Sequence, residues 1–187
     1  MMKEEMKKEM TAKMNKRKRE LLTELENFFK EDEDIEEVSL FTAEELETPM
    51  DVLRVLVTGY GAELNDILAE YSFIPMPGEA DEIWYFSCVL TIGTELPKEG
   101  MTPLANAIAR LNFYLPYGCF CLSNDGGMLI YKSVTALRSD EKDETLYKDI
   151  ELAADTALLV PESFIDLLMR VTDGRMGLNE FIAALPE

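Results

Sequence analysis

The sequence predicts an α+β protein: an antiparallel sheet with flanking helices in the order α-β-β-β-α-β-β-α, with a basic N-terminal helical arm. Three stretches predict it. Leu104, Ile108, Leu111 and Leu115 recur at helical spacing behind Thr102 and Pro103, an expected cap and first helical residue. Cys119-Phe-Cys-Leu-Ser123 and Met128-Leu-Ile-Tyr-Lys-Ser-Val134 flank the turn signal Asn124-Asp125-Gly126-Gly127, which reads as a β-hairpin. Trp84, Phe86, Cys88, Leu90 and Ile92 alternate without a break, as one buried face of a strand requires.

Taken in order, residues 3–30 read as one long helix. Met6, Met10 and Met14 recur every four residues in its basic half, and Leu21, Leu25 and Phe28 continue at helical spacing. The second half, from about Arg19 to Phe29, is expected to pack, which divides the chain into an arm over 1–19 and a single domain over 20–187. Without an early aromatic anchor, the arm reads as a solvated extension rather than a membrane-surface or partner-binding helix. Glu31-Asp-Glu-Asp34 is an acidic link lacking the spaced ligands and glycine of an EF-hand loop, and Ser139-Asp-Glu-Lys-Asp-Glu144 lacks them too. Thr42-Ala-Glu-Glu45 is a capping box that opens a short helical turn before Pro49.

A three-strand meander is expected next. Leu53, Val55 and Val57 share one face of a β-branched strand that Gly59-Tyr-Gly61 closes; no phosphate-loop lysine follows these glycines. Residues 62–74 fit a helix through Leu64, Ile67, Leu68 and Tyr71, and a strand through Ile67, Ala69, Tyr71 and Phe73; the meander takes the strand. Pro75-Met-Pro-Gly78 turns the chain into Ile83–Ile92. Beyond the helix and hairpin, Leu146, Ile150, Ala153, Ala157, Phe164, Leu168 and Val171 form a helical stripe, and Pro161 either kinks that helix or begins another. Leu178 to Leu185 supply a short last helix.

Composition narrows the function. The 187 residues contain no histidine, which excludes Ser–His–Asp and Cys–His hydrolases and His-ligated zinc. The net charge of −19 is uneven: residues 1–19 carry eight basic and three acidic groups, the rest ten basic and 34 acidic. Such a body repels nucleic acid and anionic membrane and favours solubility or a basic partner. No apolar run approaches the roughly 18 residues of a membrane span, so no integral membrane segment is expected. The charged N-terminus has no following apolar segment, so a cytoplasmic protein is expected. Cys88, Cys119 and Cys121 are too few for a disulfide framework and read as small hydrophobes rather than metal ligands; no cofactor is expected.

The helix end Leu111-Asn-Phe-Tyr-Leu-Pro116, feeding Gly118-Cys-Phe-Cys-Leu-Ser-Asn-Asp-Gly-Gly-Met-Leu-Ile-Tyr131 within this succession of elements, resembles the YbjN-like proteins and the class I type III secretion chaperones. The resemblance spans roughly residues 20–172 and contains no catalytic signature. It implies a small, acidic, often homodimeric protein that binds other polypeptides.

The hairpin supports a partner independently. A two- or four-residue loop pairs Ser123 with Met128, Cys121 with Ile130 and Cys119 with Lys132, which puts Phe120, Leu122, Leu129 and Tyr131 on a core face. The opposite face then holds Cys119, Cys121, Met128, Ile130 and Val134, too apolar for a solvated sheet face. Those five residues are the candidate partner-binding set, covered by the chain's own helix or by a second subunit. The leading expectation is a non-enzymatic interaction module, chaperone-like or regulatory, that forms a homodimer. One alternative is an acidic immunity or inhibitor protein that masks a basic partner. The other is a carboxylate-based enzyme, for which no spacing singles out a pair of acids.

Overall fold

The computed structural model describes residues 2–33, 35–76, 82–123, 125 and 127–185, with the side chains of residues 2, 3 and 6–8 left out. Its elements are α1 (Met2–Phe29), β1 (Ile35–Phe41), β2 (Val52–Tyr60), β3 (Asn65–Ile74), β4 (Ile83–Thr94), α2 (Met101–Tyr114), β5 (Cys119–Leu122), β6 (Met128–Arg138), α3 (Asp143–Thr172) and α4 (Leu178–Ala184). The fold is α+β. Six antiparallel strands form one open sheet in the order β1-β2-β3-β4-β6-β5. After β4 the chain passes through α2 to the far edge, lays down β5, and returns with β6 into the gap beside β4.

One face of this sheet carries the core. Leu53, Val55, Ala69, Tyr71, Phe86 and Cys88 are all fully buried there, beneath helices that contribute Leu21, Leu25, Leu104, Ile150, Ala157 and Phe181 to the same cluster. Full burial of each large side chain is worth about 1.5–3 kcal/mol. Residues 65–74 are a strand, and the buried set Ile67, Ala69, Tyr71 and Phe73 is the one strand alternation selects.

The element order gains a strand. Between Ile35 and Glu37 the register of β1 against β2 shifts by one residue, so Ile35, Val38 and Leu40 share the core face although their spacing is three and then two. That bulge breaks the period of two that reveals a strand in sequence. The Thr42–Glu45 capping box forms reciprocally: the Thr42 amide donates to Glu45 Oε2 at 2.8 Å, and the Glu45 amide to Thr42 Oγ1 at 3.2 Å. It closes a turn that leads back to β2 at Val52.

Three helix details differ from expectation. α2 begins at Met101, after a 3₁₀ turn over Lys98–Gly100, with Gly100 rather than Thr102 at the cap. Pro103 still falls within the first turn, where its missing N–H has no helical partner to lose. α3 runs unbroken through Pro161, which is buried, so no second helix begins there. In α1 the buried aromatic is Phe29, with Phe28 half-buried beside it.

The basic half of α1 is tied to the body. Met14 packs against the core cluster. The Arg17 guanidinium donates to Asp143 at 2.6 Å, to Glu141 O at 2.5 Å and to Ser139 O, and its Cζ lies 5.2 Å from the Trp84 ring centroid. Arg19 makes a two-pronged bond to Asp51, at 2.7 and 3.0 Å. Arg19 is the chief cause holding the Asp51 carboxyl below its usual range. Met10 is about half exposed; the Met6 side chain lies outside the described residues.

Candidate functional site

The hairpin forms in the expected register. Cys121 faces Ile130, Cys119 faces Lys132, and the Ser123 amide donates to Met128 O at 3.0 Å. Ser123 Oγ also accepts from the Met128 amide and donates to Asp125, which fastens the described part of the loop; Asn124 and Gly126 lie outside the described residues. Phe120, Leu129 and Tyr131 are buried and Leu122 is half-buried, all on the core face. At Gly118 the backbone is left-handed, φ +66°, and a Cβ there would strike the Tyr131 ring and hydroxyl, so the strand entry demands glycine. Tyr131 in turn donates its hydroxyl to Tyr117 O at 2.7 Å.

Cys119, Cys121, Met128, Ile130 and Val134 therefore share the face turned away from the helices. Cys119 and Val134 are exposed, and Cys121, Met128 and Ile130 are half-buried between neighbouring strands. Lys132 stands among them, exposed and without an ion pair among the described residues.

The sheet extends this surface well beyond the hairpin. One cross-strand row reads Ser39, Arg54, Glu70, Val89, Lys132, Cys119; the next reads Glu37, Leu56, Leu68, Thr91, Ile130, Cys121. A third runs Phe41, Val52, Ser72, Ser87, Val134, and a fourth Ile74, Tyr85, Ala136. The face is thus mixed: Leu56, Leu68, Val89, Ile130, Val134 and Tyr85 stand among serine and threonine hydroxyls and the charged Arg54, Glu70 and Lys132. Arg54 donates to Glu70 at 2.9 Å and lies 5.3 Å from the Phe41 ring centroid, so its charge is satisfied within the face. All four helices contribute to the core cluster on the other side; among the described residues none packs over this one.

Sequence reasoning found the hairpin's share of the surface and missed the shares of β2, β3 and β4. A signal was present in Val52-Leu-Arg-Val-Leu-Val-Thr58, which is apolar at Val52 and Leu56 as well as at its core positions. A second feature also went unseen. β5 covers only residues 129–132 of β6, so the rest of that edge borders an apolar groove of about 320 Å³ walled by Tyr117, Leu137, Leu152 and Thr156.

The chemistry of the face is that of packing. Burial pushes the Cys121 thiol above its ordinary pKa, with Cys119 adding to the shift, which disfavours the reactive thiolate. On the core face burial drives Cys88 up to about 12. Among the described residues no helix is long and apolar enough to cross a membrane. No known protein family, curated protein or solved structure matches the chain.

Proposed function

We propose that this chain is a non-enzymatic protein-interaction module, chaperone-like or regulatory, that buries its open sheet face against a polypeptide in the cytoplasm. The observation that carries the reading is the set of aliphatic residues on β2, β3, β4 and β6 of a sheet face with no helix over it among the described residues. An antiparallel sheet facing water carries polar residues on that side, whereas Leu56, Leu68, Val89, Ile130 and Val134 are what a contact surface needs. The resemblance to YbjN-like proteins and secretion chaperones points the same way, towards polypeptide binding without turnover.

The test is retention on the wild-type chain against a Val134→Lys variant, using an extract of the source organism. A protein held by wild type and released by the variant, with circular dichroism unchanged, supports the reading. Equal retention by both, or a monomeric chain that retains nothing, overturns it.

A further inference from the structure

We infer that the uncovered edge of β6 takes an extended segment of a partner polypeptide as an added strand, which sets a bulky apolar side chain in the groove beside α3 and a lysine or arginine against Asp149. The inference rests on the interaction reading for its class of partner, and it places a second site at the sheet's edge rather than on its open face.

The edges of this sheet are finished differently. β1 carries a bulge and two glutamates, Glu36 and Glu37, and β5 is only four residues long. Bulges, charges and short strands are the devices that keep an edge from pairing with other chains. β6 runs on past β5 through Ser133-Val-Thr-Ala-Leu137, and this stretch has no charge, proline or bulge. The hairpin fixes which way its backbone groups point. The Met128 carbonyl accepts from the Ser123 amide, so the backbone groups of Met128, Ile130 and Lys132 face β5, and those of Val134 and Ala136 continue along the same edge. Those of Thr135 and Leu137 face β4, as does the Ser139 amide that donates to Glu82 O at 2.9 Å. Among the described residues nothing bonds the Val134 and Ala136 amides or carbonyls from the edge side.

An antiparallel strand laid there exchanges both backbone bonds with Val134 and with Ala136, as a hydrogen-bonded pair does. Its side chains opposite those two residues fall on the open face. Those opposite Thr135 and Leu137 fall on the helix side, into the apolar groove of about 320 Å³ walled by Tyr117, Leu137, Leu152, Ala153 and Thr156. Leu152 is 66 % exposed there, an apolar wall that an inserted side chain covers. Asp149 lines the same groove. Its neighbour Lys148 is bound to Glu144 at 2.8 Å, and Asp149 itself has no ion pair among the described residues, so it selects a cation on the incoming strand. The net charge of −19 favours the same sign.

Amide hydrogen exchange tests the edge itself: in the chain alone Val134 and Ala136 should exchange freely, while Thr135 and Leu137 are protected. Protection of all four overturns the inference. The probes for binding are capped peptides of about strand length that alternate threonine with varied positions, filled by leucine, phenylalanine, lysine or glutamate. In fluorescence anisotropy the wild-type chain should hold those that carry an apolar residue beside a lysine, and glutamate in place of the lysine should weaken binding about tenfold. Binding should also slow exchange at Val134 and Ala136. Ala136→Pro removes an outward amide at an edge, where proline is tolerated, so it should leave circular dichroism unchanged and weaken binding about tenfold. Leu152→Glu, a change at an exposed wall, should weaken it as well. No peptide held by wild type, or equal binding by Ala136→Pro and Leu152→Glu, overturns the inference and leaves the open-face reading to its own extract experiment. A wild-type dimer that Ala136→Pro dissociates puts a second copy on the edge and overturns it too.

Discussion

One face of this sheet is almost wholly apolar, and the other sets aliphatic residues among charged and hydroxyl-bearing ones. Along β4, Trp84, Phe86, Cys88 and Leu90 point to one side at 0–1 % exposure, and Tyr85 and Val89 point to the other with no helix above them among the described residues. Along β6, Leu129 and Tyr131 are buried while Ile130 and Val134 are left for something else to cover. An apolar residue in a strand therefore reports that a surface is to be covered. Whether the covering layer belongs to the same chain depends on where the helices go.

The sharpest way to break this comparison is to truncate matched residues on each face. Phe86→Ala should cost about 3–5 kcal/mol in urea unfolding, because it opens a cavity beside Tyr71 and Phe73 in the core. Val89→Ala, measured below the concentration at which any assembly forms, should cost less than about 1 kcal/mol. Equal losses would mean that the open face is packed within the monomer.

Cys88 offers the same contrast through pH. Its folded-state pKa, about 12, lies above the ordinary thiol value near 8.5, so the stability it contributes is complete below about pH 8.5. That contribution is lost as pH rises toward 12, with a slope of at most about 1.4 kcal/mol per pH unit. Denaturation midpoints of wild type should therefore fall more steeply across this range than those of Cys88→Ala. Parallel curves would show the thiol to be solvated.

Gly118→Ala probes the turn that delivers the hairpin to the sheet. The left-handed backbone alone costs about 1–2 kcal/mol for a residue with a Cβ, and contact with Tyr131 adds to it. A thermal shift no larger than that of Gly177→Ala, where nothing lies near the added Cβ and φ is not positive, would remove the argument. A modest effect, about 1 kcal/mol, is expected from Arg17→Ala, because its ion pair with Asp143 is partly exposed and its stacking on Trp84 contributes modestly.

Much of this was legible in the sequence because the β-strands and α2 obey their periods. The hairpin register followed from Asp125-Gly126 between alternating residues, and the buried set of β4 from simple alternation. β1 was not legible, since its bulge puts Glu36 and Glu37 between core residues and erases the period. Pro161 misled for another reason: tertiary packing holds α3 together across a residue that locally favours a break. The candidate surface was legible in part only. Cys119, Cys121, Met128, Ile130 and Val134 lie on one hairpin, but their continuation into Val89, Leu68 and Leu56 depends on strand order, which no local pattern encodes.

The most direct test of the covered-face account uses a thiol already on it. Alkylation of Cys121, followed residue by residue in the mass spectrometer, is measured with and without the polypeptide that the wild-type chain retains from the extract. The account predicts that labelling slows when that polypeptide is bound and that Val134→Lys abolishes the slowing. Labelling unchanged by that polypeptide, and equal in both chains, would contradict it.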